Sequence, residues 1–336
     1  MRRERRRRLK NAARFAAAIG GLVLLAPTQS RAETLRLLSS WAENDRPSYV
    51  NGLIFQKHVK EVSDGKLTIT ITGPESVPPF EQLQPVSAGV FDVLYTHGAY
   101  HVGSRGLALA ADSIDVSIDK RREAGIWRFI DEYYQKTHGL KFLALSTQGT
   151  NGYHCYLRRP LSPEADWKGR KIRGVVSYHG VIRALGGEPV VLPMGEVYVG
   201  LERGVMDGSC GPAAGMLALR HYEVAKYRVE PTFGAVNVFF AINGNRWRGL
   251  SEQQQRWLLD AGSRTEVEAA RVGNEIVVEE RAKLAEHGVQ VARLPDDKGK
   301  MIQDVWRSSQ WEIADKCCGD AAKQLRELAR KAGMTN

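Results

Sequence analysis

The stretch Lys171-Ile172-Arg173-Gly174 holds the residue type best suited to chemistry in this chain. On a strand, Lys171 and Arg173 would face one side and Ile172 the other. Ligands of α/β sheets collect at the carboxyl ends of strands. An arginine there can hold a carboxylate through two parallel charge-assisted hydrogen bonds. Periodicity alone favours the plainer reading, an arginine paired with a neighbouring acid on a solvated edge. Further candidates fall where strands should begin or end: Ser40 and Trp41, His97, Tyr153, and Cys210 with Gly211. Asn237, on a later apolar strand, could donate an amide hydrogen bond. Of these, Trp41 and Tyr153 are best suited to cover a ligand, because aromatic groups give contact area at little conformational cost.

Other chemistries find no support. The chain has no phosphate loop, dinucleotide glycine fingerprint, HExxH or GxSxG. His97 and His101 are four apart, but Gly98 lies between them and the segment follows a strand, so a metal pair is not expected. Carboxylates are plentiful and nothing pairs them. No catalytic residue, metal or cofactor is therefore expected. The four cysteines, Cys155, Cys210, Cys317 and Cys318, show no CxxC spacing, and sequence cannot choose among their pairings. The adjacent pair would bond each other only with strain.

Residues 1–32 read as a secretory leader: a basic start, an apolar run from Phe15 to Leu25, and Ser30-Arg31-Ala32 before a cleavage site at Glu33. The whole chain carries +10, and nine Lys+Arg against one Glu put +8 of it in the leader, leaving +2 for the exported part. Nucleic acid is not an expected partner. The exported part should be periplasmic and monomeric, and its length suits two α/β lobes.

The elements that would position these residues follow from periodicity. Strands are predicted over 34–40, 66–72, 91–96 and 141–146, with helices over 48–62, 80–88 and 120–137 between them. Alternation restarts with strands at 153–158, 171–176 and 189–192 and helices at 178–185 and 195–203. This is the pattern of a largely parallel sheet. Ala88-Gly89-Val90-Phe91-Asp92 is echoed by Arg203-Gly204-Val205-Met206-Asp207, where each glycine should stop a helix and each valine start a buried strand. The echo implies two similar lobes. A strand at 236–242 precedes a long helix at 252–287, opened by a capping box at Ser251 and Gln254, which should run across both lobes as a spine. Lobe 1 is taken as 33–150 with 237–276 returning to it, and lobe 2 as 151–236 with 277–336.

The run from Asp166 to Gly208 resembles the solute-binding proteins of tripartite ATP-independent periplasmic (TRAP) transporters, the DctP-like family. The resemblance rests on Lys168-Gly169, Lys171-Ile172-Arg173, Leu185-Gly186, Pro189, Glu196-Val197-Tyr198, Leu201 and Gly204-Val205-Met206-Asp207-Gly208. It implies the two-lobed periplasmic binding protein fold, with an organic acid captured by closure of the cleft and passed to a membrane permease. It also implies that Arg173 forms the salt bridge to the ligand carboxylate, and that no catalysis takes place. Where sialic-acid-binding members carry a second arginine, this chain has Tyr153, and where they carry Glu-Asn it has Cys210-Gly211. The glutamate-tryptophan pair of the 2-oxoacid binders is also missing. The resemblance thus implies a smaller or flatter monocarboxylate, aromatic acids included.

Overall fold

The computed structural model describes residues 32–335. All of the expected leader except Ala32 lies outside them. The first half builds β1 (Glu33–Ser39), α1 (Arg46–Val62), β2 (Leu67–Thr72), α2 (Leu83–Ser87) and β3 (Val93–His97). Two 3-10 segments, Gly98–Ser104 and Leu107–Ser113, then lead to α3 (Ile118–Glu123), α4 (Ile126–His138) and β4 (Leu140–Thr147). The second half holds β5 (Tyr153–Leu157), β6 (Lys171–Arg173), α5 (His179–Ala184), β7 (Glu188–Val190), α6 (Val197–Glu202), β8 (Gly208–Pro212) and β9 (Tyr227–Glu230). The chain returns through β10 (Asn237–Asn243), α7 (Gly244–Gly249) and α8 (Glu252–Glu286), and ends with β11 (Gln290–Arg293), α9 (Asp296–Cys318) and α10 (Asp320–Lys331).

Two sheets result, ordered β2-β1-β3-β10-β4 and β11-β9-β5-β8-β6-β7. Neither is as parallel as alternation of strand and helix suggests. β10 runs antiparallel to β3 and β4, and β5 antiparallel to β8 and β9. The cause is the route of the chain. Both strands enter their sheet just after crossing from the other half, at the edge where the parallel strands end, so they must run backwards. Asn237 accordingly meets the end of β4 at Thr147, and Tyr153 meets the end of β8 at Pro212. The carboxyl ends of β1, β3, β6 and β8 therefore all face the crossover.

The crossover segments are bonded to one another. Gln148 N donates to Val236 O at 3.2 Å, and Tyr153 and Phe233 exchange backbone bonds of 2.8 and 2.9 Å. The third connection is α8, 35 residues long and so about 50 Å. Its predicted capping box between Ser251 and Gln254 is formed.

The echoed pentapeptides do equivalent work. Gly89 and Gly204 stop their helices at φ 81° and 70°, values that cost little without a Cβ. Asp92 accepts from Arg36 N at 2.7 Å, and Asp207 accepts from Lys171 N at 3.0 Å. Asp92 thus ties the start of β3 to β1, and Asp207 the start of β8 to β6. The valines depart from expectation: Val90 and Val205 are 55% and 54% exposed, because the strands start only at Val93 and Gly208.

β10 is buried on both faces, which explains its unbroken apolar run. Phe239 stacks on Phe142 at 4.8 Å on one side, and Phe240 stacks on Tyr95 at 4.4 Å on the other. The C-terminal segment differs from the expected division. β11 joins the second sheet, but Ala322, Leu325 and Ala329 of α10 share a core with Ile130 and Tyr134 of α4 in the first half. The apolar stripe of α10 finds its partner there. α9 bridges the halves, with Trp306 in the core beside Tyr153 and Trp311 in the core with α4.

Candidate functional site

Arg173 closes β6 and is 1% exposed. Its Nε donates to Leu192 O at 2.8 Å and its Nη1 to Cys210 O at 3.0 Å. Nη2 is buried and has no partner. Among the described residues no carboxylate lies within 4.0 Å of the guanidinium. Arginine stays charged in proteins, and a buried charge without its opposite is costly. Two carbonyls fix the direction of the side chain, and Tyr100 of the first half lies beside it.

The groups around Arg173 come from both halves. Tyr156 and Tyr178 belong to the second, and Tyr100 and Asp45 to the first. Burial raises all three tyrosines, and the nearby guanidinium opposes that shift. Asp45, at the start of α1, is pushed up to about 6 by burial, against the pull of Ser48 and of Arg173. His221 is pushed down to about 3, mainly by burial and then by Arg173. Asp45 and Ser48 face Tyr156, Met194, Gly211, Gly215 and His221 across a cavity of about 10 Å³. That admits at most one water, so the halves are closed on each other.

The other candidate residues take different places. Trp41 is buried at 6% exposure, with its ring 4.8 Å from Tyr95 and 6.1 Å from Tyr100. It backs Tyr100 beside the guanidinium. The Ser40 hydroxyl lies 2.6 Å from both Gln82 Oε1 and Thr96 Oγ1, and its hydrogen-bonding capacity is spent inside the first half. Cys210 contributes its carbonyl, and Gly211 lines the cavity. Tyr198, conspicuous in the motif, donates to Glu223 at 2.9 Å on the surface.

His97, Tyr153 and Asn237 are brought together, but by Asp112. Tyr153 Oη donates to Asp112 Oδ2 at 2.8 Å, and His97 Nε2 lies 2.9 Å from the same oxygen. Asn237 gives its backbone N–H and its amide to Oδ1, both at 3.0 Å, and accepts from Arg121 at 2.7 Å. His97 Nδ1 accepts from Ala99 N, so its proton sits on Nε2 and points at Asp112. These polar atoms already have partners within the protein. They join Tyr153 of the second half to three elements of the first.

Both pairs of cysteines are bonded. Cys155–Cys210 links register partners on β5 and β8, and Cys317–Cys318 joins sequence neighbours. Sequence leaves the pairing open and disfavours a bond between neighbours, yet the adjacent pair is bonded. It forms where α9 gives way to α10.

Sequence reasoning missed Asp45, Tyr100, Tyr178 and His221. Only Tyr178 carried a signal, lying within the matching run just after β6. The others reach the site through loops and helix starts whose approach depends on how the halves meet.

Two α/β halves, joined by two short crossovers, α8 and α9, and closed over a buried guanidinium with no carboxylate beside it among the described residues, define the class of two-lobed solute-binding proteins. Solved structures of that class share the fold. A TRAP periplasmic solute binding protein from Desulfovibrio salexigens with bound orotic acid superposes with TM-score 0.76 at 20% identity, covering 89% of this chain and 98% of that one. The Bordetella pertussis extracytoplasmic solute receptor DctP7, binding pyroglutamic acid, gives 0.76 at 19% identity, over 89% and 100%. A monocarboxylate 2-oxoacid-binding periplasmic protein of Nostoc is 24% identical over 274 residues, 75% of this chain and 73% of the relative.

Residues 38–314 match DctP, the bacterial extracellular solute-binding protein family 7. The chain belongs to that family.

Proposed function

We propose that this protein is the periplasmic receptor of a TRAP transporter, capturing an organic acid between its lobes and delivering it unaltered to a membrane permease. The observation that carries the reading is Arg173, buried with Nη2 unpartnered where the two halves meet. A carboxylate bound at that free edge would supply the missing counter-charge, strengthened by exclusion of water. Because a cavity of about 10 Å³ is too small for an organic acid, entry requires the lobes to part and then close again, with contacts that favour the closed state. Orotic and pyroglutamic acids, bound by two of the similar structures, are rings with one carboxylate, which agrees with a small, flat monocarboxylate here. No helix among the described residues is long and apolar enough to cross a membrane.

The test is calorimetry against a panel of organic acids. Arg173→Ala should weaken binding by more than about tenfold, since truncating one partner of a buried charged pair typically costs about 2–5 kcal/mol. Unchanged affinity in a folded variant would remove the clamp. Mass spectrometry of the ligand after incubation should show it intact, and conversion would point to an enzyme instead.

A further inference from the structure

Under the reading above, Arg173 holds one end of the ligand. The small cavity near it is lined by a group that reading does not use. Asp45 is 5% exposed and makes no ion pair within 4.0 Å. Its Oδ1 lies 3.9 Å from where a Cβ on Gly215 would sit, so the carboxylate reaches across to the second half. The Gly215 backbone is already occupied, because its N–H donates to both oxygens of Glu280 at 2.8 and 3.0 Å. The 211–216 segment is thus flanked by two buried carboxylates, one from the start of α1 and one from α8.

The remaining neighbours bring no cation to Asp45. His221 lines the same cavity but is held neutral by burial, and its Nδ1 pairs with Tyr156 Oη at 2.5 Å. Tyr95 spends its hydroxyl on Ser48 O at 2.5 Å. Only Ser48 supports the charged form of Asp45 at short range, and Arg173 acts on it from beyond ion-pair distance. A simple monocarboxylate would satisfy Arg173 and leave Asp45 enclosed without a counter-charge. A ligand with a positive nitrogen next to its carboxylate would satisfy both.

The geometry points to a zwitterionic ligand, an organic acid whose carboxylate sits on Arg173 and whose cationic nitrogen sits against Asp45. The inference rests on the carboxylate reading of Arg173 and adds the specificity-determining residue.

Calorimetry with isosteric pairs tests it on the purified protein: glycine betaine against tert-butylacetate, and pipecolate against cyclohexanecarboxylate. The zwitterion of a pair should bind at least about tenfold more tightly. Asp45→Asn should erase that preference while circular dichroism shows an intact fold, and Arg173→Ala should weaken both members. If the member without the cationic nitrogen binds as well, or Asp45→Asn keeps the preference, the inference is overturned while loss in Arg173→Ala leaves the clamp standing. Binding that survives Arg173→Ala overturns the clamp itself. If no member binds at millimolar concentration, small molecules released from the protein are identified by mass spectrometry. A cationic nitrogen in the released acid supports the inference, and its absence overturns it.

Discussion

Asp112 accepts from Tyr153, His97 and twice from Asn237, with its side chain fully enclosed. An asparagine there would present an N–H₂ to at least one donor and break the set. Hydrogen bonds to a charged group contribute about 1.5–3 kcal/mol each, so Asp112→Asn should lower stability by about 3 kcal/mol, read from urea unfolding. Arg173→Lys should keep the fold and still lose ligand, because an ammonium cannot hold Leu192 O and Cys210 O while offering a free edge. Arg173 was legible because its motif fixes both strand and position. Tyr153 and His97 stood out for lying at strand boundaries, and Asn237 as an amide on the crossing strand. Their common partner sits on a 3-10 segment that carries no periodic signal.

At the scale of elements, α8 shows how one helix serves both halves. Glu266 accepts from Leu145 N at 2.7 Å on β4, and Glu280 holds Gly215 and Leu217 of the second half. About one turn before Glu266, Gly262 lies so close to β4 that an added Cβ would stand 2.0 Å from Leu143 O. Gly262→Ala should gain about 1 kcal/mol in helix propensity and lose more by forcing the helix off the strand. A net loss of about 2 kcal/mol is expected in thermal or urea melts. The length and cap of α8 could be read from spacing and from Ser251 with Gln254. The buried glutamates could not, since in sequence they look like the solvated acids around them. Strand direction was also hidden, because alternation of strand and helix says nothing about which strands are entered from across a hinge.

For the whole molecule, pH separates two sets of buried groups. Burial pushes His101, His154 and His221 down to about 3, so the native state refuses protons that the unfolded chain accepts below about 6.5. Their contribution is present above that pH and is lost as it falls. Burial raises Asp45 to about 6 and Glu280 to about 7, and their contribution is instead lost as pH rises. Burial also lowers His138 and His179 and raises Glu266, so five histidines stand against three carboxyls and unfolding free energy should decline on acidification below about pH 6.5. His154→Gln should flatten that slope near pH 5 by about 1.4 kcal/mol per pH unit, measured by denaturant titration across pH. The two-lobed plan was visible in the repeated pentapeptide, whereas the docking of α10 onto the first half depended on which apolar stripe lay nearest. The Cys155–Cys210 bond ties β5, fresh from the crossover, to the very residue whose carbonyl steers the guanidinium. Material produced in a reducing cytosol would lack that staple and hold Arg173 with more slack, so its measured affinities should scatter and tighten only after oxidation.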